Sequence, residues 1–470
     1  MEQTQNAAGN AGAMARPAPD FKDTPDIDPY PHYQRLRATC PVVQVTKDTA
    51  LRPFLITAYQ DAKAALADPR LVKDPRVGTE ALIAAGVAQV YLGGGPTLAD
   101  NMLTADPPDH SRLRRLVSDQ FTVRRTAALE PRIQELTDGL IDAFPADGRA
   151  EFMDTFANQL PALVIAELLG VPAEDRELFR TWSEQSLLSP SDPRQRSGAI
   201  ALNDYVVDLV AGKRTDPDGE DLISALITGA SEDRLTEDEL VGSIKLMIIA
   251  GHDTTVNLLG NGLLALLGAP DQLDLLRARP ELIPDAVEEL LRFDSPLERA
   301  TVRFAADDLQ IGGTPIPRGS AVYVVLGSAN RDETEYERPD RLDVTRAPRG
   351  HLAFGHSLHY CIGAPLARLE GRIAFTTLLA RLPEIELDTE PELLTHRPNT
   401  IMRGLTALPI RYRTHSPSPS PPGDPSPGGP PPTAARSRRS PEAPYRCSRT
   451  SPGSPSRHRW PGRSDPSRCP

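Results

Sequence analysis

The chain has 470 residues and a mass of 51.0 kDa, with 52 Lys plus Arg against 64 Asp plus Glu, a formal net charge of -12, and 4 Cys. The acidic balance argues against a general nucleic-acid binder, and so few cysteines cannot staple a disulfide scaffold. No apolar run reaches the ~18 residues that span a bilayer, and residues 1–20 lack the apolar core of a signal peptide, so a cytoplasmic protein with no membrane attachment is expected.

In chain order, apolar periodicity predicts helices over Ala58–Ala67, Asp109–Phe121, Thr126–Ala143, Phe152–Leu169, Ala173–Leu188, Ala199–Lys213, Asp221–Ile227, Glu237–Leu267, Asp271–Ala278, Pro284–Phe293 and Ala364–Arg381. Strands are predicted at Val42–Val45, Pro53–Thr57, Thr301–Phe304, Leu309–Ile311, Ala321–Leu326 and Leu405–Tyr412. Helices dominate and the strands gather toward both ends. That pattern predicts one large α+β domain, mainly α, rather than alternating βαβ units. Its expected limits are residues 21–413, with a short disordered N-terminus over 1–20. Residues 414–470 hold 16 Pro, 12 Ser and 9 Arg but no Leu, Ile, Val, Met or Phe. Such a segment buries too little apolar surface to offset its ordering entropy, so it reads as a disordered tail.

Thr236 and Glu239 form a capping-box pattern, and Gly268-Ala269-Pro270 is a stop. The helix between them has about 31 residues and spans ~46 Å. Its apolar middle is interrupted by His252, Asp253, Thr254, Thr255 and Asn257. Buried polar groups need partners. Asp253 and Thr254 could hand protons to a ligand admitted by the small Ala250 and Gly251, or the Thr hydroxyls could bond back to helix carbonyls. Further on, Cys361 closes a Gly-containing loop and precedes a helix with Pro365 in its first turn. Helix N–H donors favour a thiolate there, which suits a metal ligand or a nucleophile; an inert buried thiol is the plainer alternative. Zinc is disfavoured, because no other Cys lies nearby in sequence.

These motifs occur together in a recognisable order. Phe354-Gly355-His356-Ser357-Leu358-His359-Tyr360-Cys361-Ile362-Gly363 resembles the heme-binding loop of the cytochrome P-450 superfamily. Ala250-Gly251-His252-Asp253-Thr254-Thr255 resembles its oxygen-activation motif, Glu289-Leu290-Leu291-Arg292 its Glu-x-x-Arg helix, and the stretch from Asp106 to Arg115 the start of a heme-carboxylate helix. The resemblance covers roughly residues 25–412. It implies the P-450 fold, with small β-sheets around a long central helix, and Cys361 as axial ligand of heme b iron. It further implies that His110, Arg114, Arg303 and His359 hold the propionates, with Phe354 and Gly363 also at the cofactor. Asp253 and Thr254 would be the acid-alcohol pair that delivers protons. Ile249, Ala250, Gly251, Leu297, Ala300 and Ile401 would line the substrate pocket, with the loop from Gly78 to Met102 beside them. Glu289, Arg292 and Arg341 would form a structural ion network.

One residue departs from the family pattern, which usually has Gly where Ser357 stands. Gly there would supply a backbone angle or a close approach that a Cβ hinders, so Ser357 is expected to strain the loop or to shift the cysteine slightly. There is no Gly-x-Gly-x-x-Gly fingerprint for a nicotinamide or flavin. The resemblance therefore implies a monomer that takes NAD(P)H electrons through a ferredoxin and ferredoxin reductase and uses O2 as co-substrate. The chain looks most like soluble actinobacterial enzymes that hydroxylate or epoxidise macrolides and other polyketides in antibiotic biosynthesis. Oxidation of a fatty acid, terpenoid or xenobiotic, or a heme-binding relative without turnover, are the alternatives.

Overall fold

The computed structural model describes residues 28–45, 51–88, 101–186, 192–215, 219, 221–228, 235–397 and 399–413. The segments expected to be disordered, 1–20 and 414–470, lie outside the described residues, as does most of the Gly-rich part of the 78–102 loop.

The helices are α1 Tyr30–Thr39, α2 Tyr59–Ala67, α3 Thr79–Ala84, α4 Asp109–Ser118, α5 Val123–Ala128, α6 Glu130–Asp142, α7 Gln159–Leu169, α8 Arg176–Ser186, α9 Pro193–Thr215, α10 Leu222–Thr228, α11 Glu237–Leu267, α12 Pro270–Ala278, α13 Ile283–Phe293, α14 Leu326–Ala329 and α15 Ala364–Arg381. The strands are β1 Val42–Gln44, β2 Phe54–Ile56, β3 Leu71–Val72, β4 Arg149–Glu151, β5 Arg303–Ala305, β6 Leu309–Ile311, β7 Thr314–Ile316, β8 Ala321–Val324, β9 Glu384–Leu387 and β10 Pro409–Arg413. Among the described residues they form a five-stranded sheet in the order β1-β2-β8-β5-β3, a three-stranded sheet β4-β10-β9 and the hairpin β6-β7. Within the largest sheet only β2 and β8 run parallel.

The central helix α11 has the predicted limits. Thr236 N donates to Glu239 Oε2 at 2.9 Å and Glu239 N to Thr236 Oγ1 at 3.3 Å, which closes the capping box. Val256, Leu259 and Leu263 of this helix share one core with Leu290 of α13 and with Ile373, Phe375 and Leu378 of α15. Full burial of each such side chain is worth ~1.5–3 kcal/mol, so the helix is held by packing on several sides.

Three predicted elements differ, each for a local reason. The single helix expected over 126–143 is two, because Pro131 cannot continue a helix but suits the first turn of the next. The helix expected from Phe152 opens with a π-turn at Met153–Ala157 before α7 begins. The strand expected from Thr301 starts at Arg303, since the Thr301 and Val302 carbonyls accept from the Lys73 ammonium. Helices α1, α3 and α14 and the short strands β3, β4, β7 and β9 were not foreseen.

Candidate active site

Cys361 sits between the loop from His351 and the first turn of α15. Its N–H donates to Phe354 O at 2.8 Å, and Gly355 N donates to Leu352 O at 2.8 Å, which folds the loop back on itself. The cysteine is accessible yet closely surrounded by protein. Burial pushes its thiol up; the backbone N–H groups of Gly363 and Ala364, then Arg114 and Arg368, pull the other way. These are the donors the sequence placed at a helix N-terminus, and they favour the thiolate form. Phe354 is buried beside Cys361, with the Arg368 guanidinium 4.5 Å from its ring centre.

Ser357 has φ 59°, the left-handed region that costs a residue with a Cβ about 1 kcal/mol or more. The strain expected from the sequence is therefore present. Ser357→Gly should raise stability by ~0.5–1 kcal/mol, the relief of strain less the extra freedom of Gly when unfolded. A urea titration checks this; an unchanged or lower midpoint refutes it.

The loop is tied down by a residue the sequence reading missed. Glu288 accepts from Arg368 Nε at 2.6 Å and Nη2 at 2.8 Å, and pairs with His351 Nε2 at 3.0 Å. Burial works against its charge, but the His351 and Arg368 contacts outweigh it and hold the carboxyl down at about 2. Because the folded value lies below the ordinary 4.5, the contribution to stability is whole above about 4.5 and is lost as pH falls toward about 2. Glu288→Gln should cost ~1–2 kcal/mol at pH 7, discounted for partial exposure. It should also flatten the acid limb of the stability profile; an unchanged limb would contradict this account.

Four predicted cofactor residues converge beside Cys361. His110 is fully buried and its ring lies 4.4 Å from that of His359, edge-on. Neither His110 nitrogen, nor His359 Nε2, nor Arg303 Nε has a hydrogen-bond partner, although all are buried. Arg303 Nη1 donates to Leu71 O at 3.0 Å, and Arg114 Nη2 to Tyr360 O at 2.7 Å. Burial, then the charges of Lys73, Arg303, His110 and Arg114, push the His359 imidazole down to about 2. Buried donors without acceptors cost free energy. A cluster of such donors beside a thiol fits a group that carries two carboxylates and an axial metal, as heme does.

On α11, Thr254 is half-buried and its Oγ1 donates to Ala250 O at 2.7 Å. Asp253 is buried, with Oδ1 3.6 Å from Arg397 Nη1 and 3.7 Å from His252 Nδ1. Arg397 also donates to Asn257 Oδ1 at 2.7 Å. A Cβ on Gly404 would stand 1.9 Å from that same oxygen, so only Gly fits there. Arg397 and Gly404 were not foreseen, and Asn257 was read only as a polar group in need of a partner, because that partner lies 140 residues away in sequence.

Of the predicted pocket residues, Ala250 is exposed and Ile249 half-buried. Gly251 lies against α7, where a Cβ built on it would stand 3.0 Å from Ile165. Leu297 bridges to Met402, Arg299 N donates to Ile401 O at 3.1 Å, and Ala300 N to Val324 O at 2.9 Å, which brings Leu297, Ala300 and Ile401 together.

The structural network needs one correction. Glu289 and Arg292 are fully buried and bidentate at 2.7 and 2.8 Å. Arg341 is not part of it: it is exposed, 3.6 Å from Asp271. Arg346 takes the expected place, with Nε 3.1 Å from Glu289 Oε1.

A fold built on a long central helix, with a cysteine beside a cradle of arginines and histidines that keeps unpartnered buried nitrogens, defines a heme-thiolate oxygenase. A Cytochrome P450 family profile matches residues 196–410. The chain is 49% identical over 391 residues to Cytochrome P450 monooxygenase PikC of Streptomyces venezuelae, covering 82% of this chain and 91% of that one. It is 42% identical over 405 residues to 6-deoxyerythronolide B hydroxylase of Saccharopolyspora erythraea, covering 84% and 98%. The structure of tirandamycin C-bound P450 monooxygenase TamI superposes with a TM-score of 0.75 at 41% identity, covering 82% and 98%. The chain belongs to the cytochrome P450 family, which uses heme iron and O2, and it is a monooxygenase of that family. No helix among the described residues is long and apolar enough to cross a membrane.

Proposed function

We propose that this enzyme hydroxylates or epoxidises a macrolide or related polyketide natural product, using heme b held through Cys361. The observation that carries the cofactor assignment is the set of unpartnered buried nitrogens on His110, His359 and Arg303 beside that thiol. Relatives that hydroxylate 6-deoxyerythronolide B or bind tirandamycin C support the substrate class.

The bound heme supplies oxygen activation and transfer of one oxygen atom to substrate, while the second leaves as water. The chain supplies the rest. Cys361 Sγ would hold the heme iron, and His110, Arg114, Arg303 and His359 would bind its two carboxylates by charge-assisted hydrogen bonds. Ala250 leaves the helix face open. Thr254 Oγ1 holds a proton at that face, and Asp253, steadied by Arg397, resupplies it from the buried side. Leu297, Ala300 and Ile401 give the substrate an apolar wall. Electrons come from NAD(P)H through a ferredoxin and its reductase. Of the arginines on the cysteine side, Arg112, Arg368 and Arg372 already pair with Glu239, Glu288 and Glu130, so docking a partner there would compete with existing ion pairs.

The test is the reduced, carbon monoxide-treated spectrum of the purified protein, followed by turnover of a panel of polyketides with competent redox partners. A strongly red-shifted Soret band and an oxygenated polyketide are expected; an unshifted band defeats the heme-thiolate reading. Thr254→Ala should keep that band but lower product formed per cofactor consumed by about tenfold or more. Equal coupling in the variant would remove Thr254 from the proton path.

A further inference from the structure

Beside the four expected cofactor residues stands a cation that the family resemblance did not supply. Lys73, just past β3, is buried, with 6% of its surface exposed. Its ammonium donates to Thr301 O at 2.9 Å, to Val302 O at 3.1 Å and to Thr301 Oγ1. All three of its donors are therefore used on the segment that leads into Arg303. The backbone is pinned as firmly: Lys73 N donates to Asp106 Oδ1 at 3.0 Å and Oδ2 at 2.9 Å, and Asp74 N to Asp106 Oδ2 at 2.9 Å. Asp106 O in turn accepts from His110 N at 3.0 Å at the start of α4. Lys73 thus sits at the junction of the pocket wall, strand β5 and the carboxylate-binding helix.

A buried ammonium is an expensive way to hold two carbonyls and a hydroxyl. Burial and Arg303 both oppose its charge, and the anion that supports it is Asp106, whose oxygens are engaged with backbone N–H groups. Lys73, Arg114 and Arg303, with the His110 and His359 imidazoles among them, form a cluster whose positive charge two heme carboxylates would balance.

We propose that Lys73 is a further cation of the heme-carboxylate cradle, a positioning residue whose charge favours the reduced holoenzyme and whose hydrogen bonds join that cradle to the Thr301–Val302 segment. The inference rests on the heme-thiolate reading above. Reduction adds negative charge at the cofactor, which a nearby buried cation stabilises. A unit charge in a neighbouring cluster at the effective permittivity of a protein is worth about tenfold in such an equilibrium, or about 59 mV for a one-electron couple.

The test is a spectroelectrochemical titration of the substrate-free holoenzyme and of Lys73→Met, Lys73→Gln, Lys73→Arg and Thr301→Val. Lys73→Met and Lys73→Gln should each shift the ferrous-to-ferric ratio about tenfold toward ferric. Lys73→Arg, which keeps the charge, and Thr301→Val, which removes only one acceptor, should stay within about threefold of the parent. Neutral variants that bind heme at the parent potential overturn the proposal. So does failure of both neutral variants to fold while Lys73→Arg folds, since Lys73 is then only a structural clamp. A parent protein that takes up no heme, or lacks the red-shifted band, defeats the heme-thiolate reading itself and is recognised before any variant is compared.

Discussion

Cys361→Ala is expected to leave a folded protein with no monooxygenase activity. The side chain lies outside the large apolar clusters, and the loop that carries it is held by other groups. Those are the Cys361 N–H on Phe354 O, Asn330 Oδ1 on Leu352 N, and the Glu288 contacts to His351 and Arg368. Removing the sulfur therefore touches neither packing nor the loop's backbone bonds, and a stability change within about 1 kcal/mol is expected, as for a change away from core features. What is lost is the sulfur toward which the Gly363 and Ala364 N–H groups point. Without it the carboxylate cradle still attracts heme, but the electron-rich axial donor is gone. The reduced, carbon monoxide-treated variant should show no red-shifted band and turnover should fall below detection, while its thermal melt stays close to the parent's. A persistent red-shifted band would mean that another group ligates the iron.

The parts of this site written in contiguous stretches were legible in the sequence. Cys361 with its helix N-terminus and Asp253 with Thr254 each lie within one turn or one loop and stood out by their residue types, while Glu289 with Arg292 was legible only through the family resemblance. The capping box of α11, also within one turn, was legible by its residue types. The contacts that were missed join distant segments through irregular chain. Glu288 meets Arg368 across 80 positions, Arg397 meets Asn257 across 140, and Lys73 meets Thr301 across 228. No periodicity encodes such partners. They follow from where α11, α13 and the strand β5 come to rest in the packed fold. Ser357 shows what backbone reasoning can reach, because a Gly-favouring position was inferred from sequence and the φ of 59° bears it out.

The buried ion network provides the sharpest contrast between neighbouring arginines. Arg292 donates from Nε and Nη2 to Glu289, and from Nη1 to both Asn330 O and Pro339 O at 2.9 Å, and it has no exposed surface. Arg292→Ala leaves Glu289 charged, fully buried and short of its main partner, together with two orphaned carbonyls. Breaking a buried pair from one side costs about 3–5 kcal/mol, a large share of the 5–15 kcal/mol that keeps a domain folded. The variant should be recovered mostly unfolded or without heme. Arg346→Ala removes one charged hydrogen bond to Glu289 and those to the carbonyls of Glu337, Arg338 and Arg341, for an expected loss of about 1.5–3 kcal/mol. Arg341→Ala removes a loose, exposed contact to Asp271 and should change stability by no more than about 0.5 kcal/mol. Urea titrations of the three variants should therefore rank Arg292 above Arg346 above Arg341. If Arg341→Ala proved as damaging as Arg346→Ala, the assignment of Arg346 to the network would fail. Replacing Glu289 and Arg292 together by Leu should cost less than Arg292→Ala alone, because no uncompensated charge then remains in the core.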